Sequence, residues 1–338
     1  MRKFSLICII AFCLAGCFQS DKVETVESGD ADKIKITADM VAYLRKQNLP
    51  ALESVEFWEN EYGPGLKLTT AHYEIFTTLL DPLMLQRVPG FVELGYRGYN
   101  SQLPKPIETS TKFTIYLFND RQQWEDFTRT FAGDEAKLFY KIKAGAYYHN
   151  GACVVYNIGR ERTFFVLGHE GWHQFNSRHF KFRLPSWLDE GVAMLFEAQG
   201  TQEDAFYFEP AENVYRLNAL KKTLMNNKMM PLKELIAVNP GEVLATDETE
   251  ALMGFYGQSY ALVRFLREAD YGKRLGIYRQ LLQGGLRGDW LLDEVSKRIA
   301  IDRNIPRTIV WNRIVGLLLF ERYIGDDFDQ IEKEYLDF

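Results

Sequence analysis

The chain has 338 residues, with 40 Lys and Arg against 46 Asp and Glu, a formal net charge of −6. That length can bury a large core and more than one structural unit. An acidic balance without any basic run argues against nucleic acid as a partner.

Arg2 and Lys3 open the chain, and an apolar run, FSLICIIAFCLAG, leads to Cys17. A basic start followed by a short apolar stretch predicts a secretory signal peptide over 1–16. The run is too short to span a bilayer permanently. Its exit, Leu14-Ala15-Gly16-Cys17, resembles the bacterial lipobox. The resemblance implies cleavage before Cys17, whose thiol then carries a diacylglycerol and makes the membrane a partner. It further implies a periplasm-facing protein of the cell envelope. Phe18 stands where an Asp would resemble an inner-membrane retention signal, so the outer membrane is favoured. Cys8 and Cys13 leave with the signal and Cys17 is acylated, so Cys153 has no cysteine to pair with. After Cys17, residues 18–35 are polar and lack apolar periodicity, which predicts a tether.

The segment 37–47 reads as a short helix, and GLKLTTAHYEIFTTL, 65–79, is rich in β-formers and reads as strand. A helix follows near 81–96. KFTIYLF, 112–118, is a strong strand, with Asn119-Asp120 turning into the helix RQQWEDFTRTF. In 144–158, two β runs flank Asn150-Gly151, a dipeptide suited to the positive φ angles of a tight hairpin. His149 is expected exposed at that turn, His72 on a strand surface and Cys153 as a buried thiol. From 161 onward the pattern is mainly helical, near 162–177, 186–198, 211–226 and 254–269, with more after 271. VGLLLF, 315–320, is only a core-sized run.

The stretch FFVLGHEGWHQFNSRHF, 164–180, carries the chemistry. On a helix, His169 and His173 lie one turn apart on one face and can point two imidazoles at one ion. Glu170, offset by one residue, can reach a water on that ion without ligating it. Neutral nitrogen ligands, an open coordination position and an adjacent base are what a hydrolytic zinc site requires. Gly168 and Gly171 inside this helix each cost about 1 kcal/mol relative to Ala, which close approach of another backbone would offset. Two candidates can complete the ligand set. Glu190 lies in LPSWLDEGVAMLFE, where Pro185 and Ser186 signal a second helix start. His179 falls where HEGWHQFNSRH approaches the metzincin pattern, with Asn176 in place of the turning glycine. Arg178, Lys181 and Arg183 read as a solvated basic loop.

His169-Glu170-Gly171-Trp172-His173 followed by Trp187-Leu188-Asp189-Glu190-Gly191-Val192-Ala193 resembles the gluzincin metallopeptidases, more narrowly the bacterial peptidase-MA-like group. The likeness spans roughly 65–285. It implies Zn²⁺ held by His169, His173 and Glu190, with Glu170 as general base toward a zinc-activated water and a peptide or protein as substrate. A catalytic tyrosine downstream of the third ligand recurs among similar enzymes. In GFYGQSYALVRFL this favours Tyr256 over Tyr260, as a donor to the developing oxyanion. The edge strand ahead of the metal helix pairs with extended substrate in such enzymes, which places that role on the hairpin 144–158.

Strands first and helices after predict an α+β fold. The expected organisation is a signal peptide (1–16), the lipidated Cys17 and tether (17–35), and an N-terminal α+β segment (36–110). A zincin-type catalytic domain (111–285) and a helical C-terminal segment (286–338) follow. The expected activity is that of a lipid-anchored zinc metallopeptidase, and the oligomeric state is left open. The contrasting reading is a non-catalytic envelope lipoprotein that uses a zincin fold as a binding or assembly module.

Overall fold

The computed structural model describes residues 30–142, 145–202, 205–244, 249–303 and 311–338. The expected signal peptide, lipobox and Cys17 lie outside the described residues. The fold is mixed α+β. Helix α1 (Asp30–Arg45) begins inside the stretch expected as tether and is followed by β1 (Ser54–Phe57), β2 (Leu66–Thr69), β3 (Tyr73–Thr77) and α2 (Pro82–Ser101). Next come β4 (Phe113–Phe118), α3 (Arg121–Ala132), the single turn α4 (Ala136–Phe139), β5 (Ala146–His149), β6 (Ala152–Tyr156) and α5 (Arg160–His179). The rest is helical apart from the hairpin β7 (Gln199–Gln202) and β8 (Ala205–Phe208). Its helices are α6 (Ser186–Ala193), α7 (Val214–Met225), α8 (Leu232–Ala237), α9 (Pro240–Leu244) and α10 (Thr249–Gly272). They continue with α11 (Leu275–Arg287), α12 (Glu294–Ile301), α13 (Leu317–Tyr323) and α14 (Phe328–Asp337). No helix among the described residues is long and apolar enough to cross a membrane.

The chain forms two compact units, one holding 30–94 and Thr109–Glu170, the other Gly95–Glu108 and Gly171–Phe338. In the first, six strands run in the order β1-β2-β3-β4-β6-β5. The β3–β4 and β4–β6 pairs are parallel and the others antiparallel. Alternation in LKLT, YEIFT and FTIYLF buries every second side chain completely. The other face carries a ring cluster: Phe76 stacks on Tyr116 at 5.3 Å, and Tyr116 meets Phe127 of α3 at 4.5 Å. Asp120 caps α3 by accepting from the Gln123 amide at 3.0 Å, which starts the helix where Asn119-Asp120 predicts. Asn150 and Gly151 adopt φ of 48° and 84°, the tight turn their dipeptide predicts between β5 and β6.

Three expectations are corrected. The single strand over 65–79 is a hairpin, β2 and β3, closed by the Thr70 amide donating to the Tyr73 carbonyl and the Tyr73 amide donating to Thr70 Oγ1. The buried Glu93 carboxylate holds that turn, accepting from Thr70 Oγ1 at 2.6 Å and from the His72 amide at 2.8 Å. His72 therefore sits in the turn, its Nδ1 2.7 Å from Glu93 Oε2. His149 is buried, with Phe131 and Phe139 set edge-on to its ring, and burial depresses its pKa. Cys153 is a buried thiol, as expected.

Candidate metal centre

Within the second unit, Tyr99 of α2 packs against the later turns of α5. A Cβ on Gly171 would collide with the Tyr99 hydroxyl and lie 3.0 Å from Tyr99 Cζ. The close approach that justifies this glycine is thus an aromatic side chain and not a backbone. Tyr99 in turn meets Trp172 at 6.2 Å, Phe175 at 5.7 Å and Phe196 edge-on at 4.7 Å. Helix α5 continues through Asn176 to His179. Asn176 is not among the positive-φ residues, so the chain does not turn where a metzincin-like site would need it to.

Helix α6 supplies the facing carboxylate. Its first residue is tied at both ends of its polar groups: the Ser186 amide donates to Asn312 Oδ1 at 3.1 Å, and Asn312 Nδ2 donates to Ser186 Oγ at 2.7 Å. Gly191 lets α6 lie directly on α10, since a Cβ there would strike Val263 and sit 2.6 Å from the Ser259 carbonyl oxygen. A backbone oxygen cannot swing aside. Gly191→Ala is therefore expected to lower stability by about 1–3 kcal/mol, read as a shift of the denaturant midpoint.

His169, His173 and Glu190 form one compact group, each offering a donor atom within 4.8 Å of the others, and all three are buried. It is the group of this kind found among the described residues. His173 Nε2 lies 3.6 Å from Glu190 Oε2. Two ligand atoms about 2.0–2.1 Å from one zinc at the tetrahedral angle are about 3.4 Å apart, so this spacing fits a shared ion. The other nitrogen, His173 Nδ1, is 3.3 Å from Asp189 Oδ1. That same oxygen accepts from Trp172 Nε1 at 2.9 Å and Asn176 Nδ2 at 2.8 Å. A proton on Nδ1 facing Asp189 leaves the Nε2 lone pair directed at Glu190 and the ion position. Asp189→Asn keeps the volume but replaces the orienting carboxylate, and is expected to weaken zinc binding about 10- to 100-fold in chelator competition.

Sequence reasoning missed Asp189. Its signal was the acidic pair in Trp187-Leu188-Asp189-Glu190, with Trp172 and Asn176 one turn apart on the facing helix. It also missed a buried ion pair four residues past the end of α6. Glu197 accepts from Arg216 Nε at 2.8 Å and Nη2 at 2.5 Å, and from Asn213 Nδ2 at 2.8 Å. The Arg216 guanidinium lies 5.0 Å from the Tyr256 ring centroid, which fixes the ring of the candidate oxyanion donor. Tyr256 is buried on α10. The Tyr260 hydroxyl instead donates to the Pro210 carbonyl and accepts from Arg264 Nη1 at 3.3 Å.

His179 is not part of the donor group. It ends α5 with its ring 4.8 Å from Phe175, and burial, then the nearby Arg178 charge, push its pKa down to about 4. Of the expected basic loop, Arg178 and Lys181 are exposed, but Arg183 is buried with its guanidinium 6.0 Å from the Trp311 ring centroid. Glu170 is fully buried on α5. Comparison with protein-family models, curated proteins and solved structures finds no match to this chain.

Proposed function

We propose that this chain is a zinc metallopeptidase of the gluzincin type, built on a zincin-type catalytic domain. The observation that carries the reading is the buried group of His169, His173 and Glu190, brought together from two helices, with Glu170 beside the first histidine. Two neutral imidazoles and one carboxylate suit Zn²⁺ with a coordination position left for chemistry. Bound there, zinc supplies Lewis-acid polarisation of a carbonyl and a nucleophile at neutral pH. The chain's own residues do the rest. Glu170 takes a proton from water on its carboxylate and returns it to the leaving amine. The Tyr256 hydroxyl donates to the carbonyl oxygen as negative charge develops there. Strand β5, at the edge of the sheet, offers backbone groups to an extended peptide substrate.

The test is metal content of the purified protein together with hydrolysis of an unstructured peptide. One zinc per chain and chelator-sensitive cleavage support the reading. Bound zinc without turnover of any peptide would favour a non-catalytic binding or assembly module.

The sequence Leu14-Ala15-Gly16-Cys17 supports a lipid anchor at Cys17 and a place in the cell envelope, facing the periplasm, with the outer membrane favoured. Cys17→Ser is expected to abolish incorporation of labelled fatty acid in a bacterial host. Equal labelling of wild type and variant would remove the anchor. A single acyl chain holds a protein only marginally, so stable attachment needs the several chains typical of bacterial lipoproteins.

A further inference from the structure

Helix α7 carries an apolar stripe on the side that packing does not explain. Its inner face, Arg216, Ala219 and Thr223, is buried. It lies close on α10 because Gly254 and Gly257 stand opposite: a Cβ on Gly257 would be 2.9 Å from the Leu220 amide nitrogen, and one on Gly254 3.2 Å from Thr223. The outer face carries Val214, Leu217, Leu224 and Met225, which are 59%, 36%, 57% and 71% exposed. Helical spacing puts these four side by side. Each is three, four or seven residues from the exposed Lys221, which stands in the middle of the stripe.

The lysine selects the occupant. We propose that the outer face of α7 docks on an anionic lipid surface, with Val214, Leu217, Leu224 and Met225 entering the acyl boundary and Lys221 reaching the phosphates. A second copy of this helix fits poorly. The sequence VYRLNALKKTLM contains no acid, so face-to-face pairing would bury Lys221 against its own equivalent. At a lipid headgroup the same side chain lays its stem along apolar surface and keeps its ammonium among phosphates. Lys222 and Lys228 flank the stripe, both 2.8 Å from the single carboxylate of Glu250, which leaves the edge net positive on a chain that is acidic overall. Asn226 and Asn227, both exposed, add polar groups at headgroup level. The inference does not depend on hydrolysis or on acylation of Cys17.

The experiment places a tryptophan at position 224 of the full chain and mixes it with phosphatidylcholine vesicles, with and without phosphatidylglycerol, whose acyl chains carry bromine. The emission added by Leu224→Trp is expected to be quenched in the anionic vesicles and much less in the neutral ones. In that background Lys221→Glu should weaken partition by about fivefold or more, since each lysine near an anionic surface contributes about that factor. Met225→Glu should weaken it by about tenfold or more. Both positions are exposed, so unchanged far-ultraviolet circular dichroism is expected and separates lost docking from lost folding. Absence of quenching in anionic vesicles, or quenching indifferent to both substitutions, overturns the proposal. Self-association that Met225→Glu abolishes, without quenching, would give the face to a second copy and overturn it too. So would capture of an acidic protein partner at this face in the absence of quenching.

Discussion

Glu170→Gln is expected to keep its zinc and lose hydrolysis by at least about 10²- to 10⁴-fold in kcat/KM, the contribution of a positioned general base. The substitution preserves the shape of a side chain that is fully buried on α5. It removes only the ability to take up a proton. Glu170 is also outside the donor group of His169, His173 and Glu190, so metal retention is the companion expectation. His169→Ala and His173→Ala should lose both metal and turnover, because each removes a nitrogen donor from the proposed three-residue set. Zinc content by elemental analysis and cleavage of a quenched peptide, measured on the same preparations, separate the two behaviours. If the Gln variant loses zinc as the alanine variants do, Glu170 is a ligand and its assignment as base is wrong.

What the sequence made legible, and what it did not, follows from where the determining contacts lie. The β5–β6 turn was readable because Asn150 and Gly151 encode its positive φ angles locally. The turn between β2 and β3 was not. Thr70, Ala71 and His72 include no Gly, Pro or Asn, and the closing carboxylate, Glu93, comes from a helix 21 residues away. The α5 histidines were readable as a pair because i and i+4 meet on any helix. The burial of His149 was not, since the rings that cover it belong to α3 and α4. Strands β7 and β8 went unread inside a region whose periodicity is otherwise helical. Asp189 shows the limit most clearly. Its sequence neighbour Glu190 was singled out by motif, whereas the role of Asp189 exists only once Trp172, His173 and Asn176 of another helix converge on one of its oxygens. Arg183, expected in solvent, is covered by Trp311, 128 residues farther on.

Glu190→Ala is expected to weaken zinc binding by well over the 10- to 100-fold that orienting residues contribute, and His179→Ala to change it little. Glu190 Oε2 already lies 3.6 Å from His173 Nε2, and its helix is held in three ways. Asn312 ties the start at Ser186, Gly191 seats the later part on α10, and the Glu197–Arg216 pair anchors the chain just beyond the helix. A carboxylate so held needs little ordering to bind an ion, and it is the one anionic member of the donor group, so its loss would remove charge as well as a donor atom. His179 has neither property. It closes α5 beside Phe175, six residues past His173, and burial keeps its imidazole neutral at pH 7. His179→Ala removes that packing and should register in the melting temperature rather than in metal affinity. Competition with a chelator, run on both variants at one pH, gives the ordering directly. If His179→Ala loses the metal and Glu190→Ala retains it, the site is metzincin-like. The carboxylate of α6, buried 3.6 Å from an imidazole nitrogen, would then have a structural role, and Glu190→Ala would register in stability rather than in metal affinity.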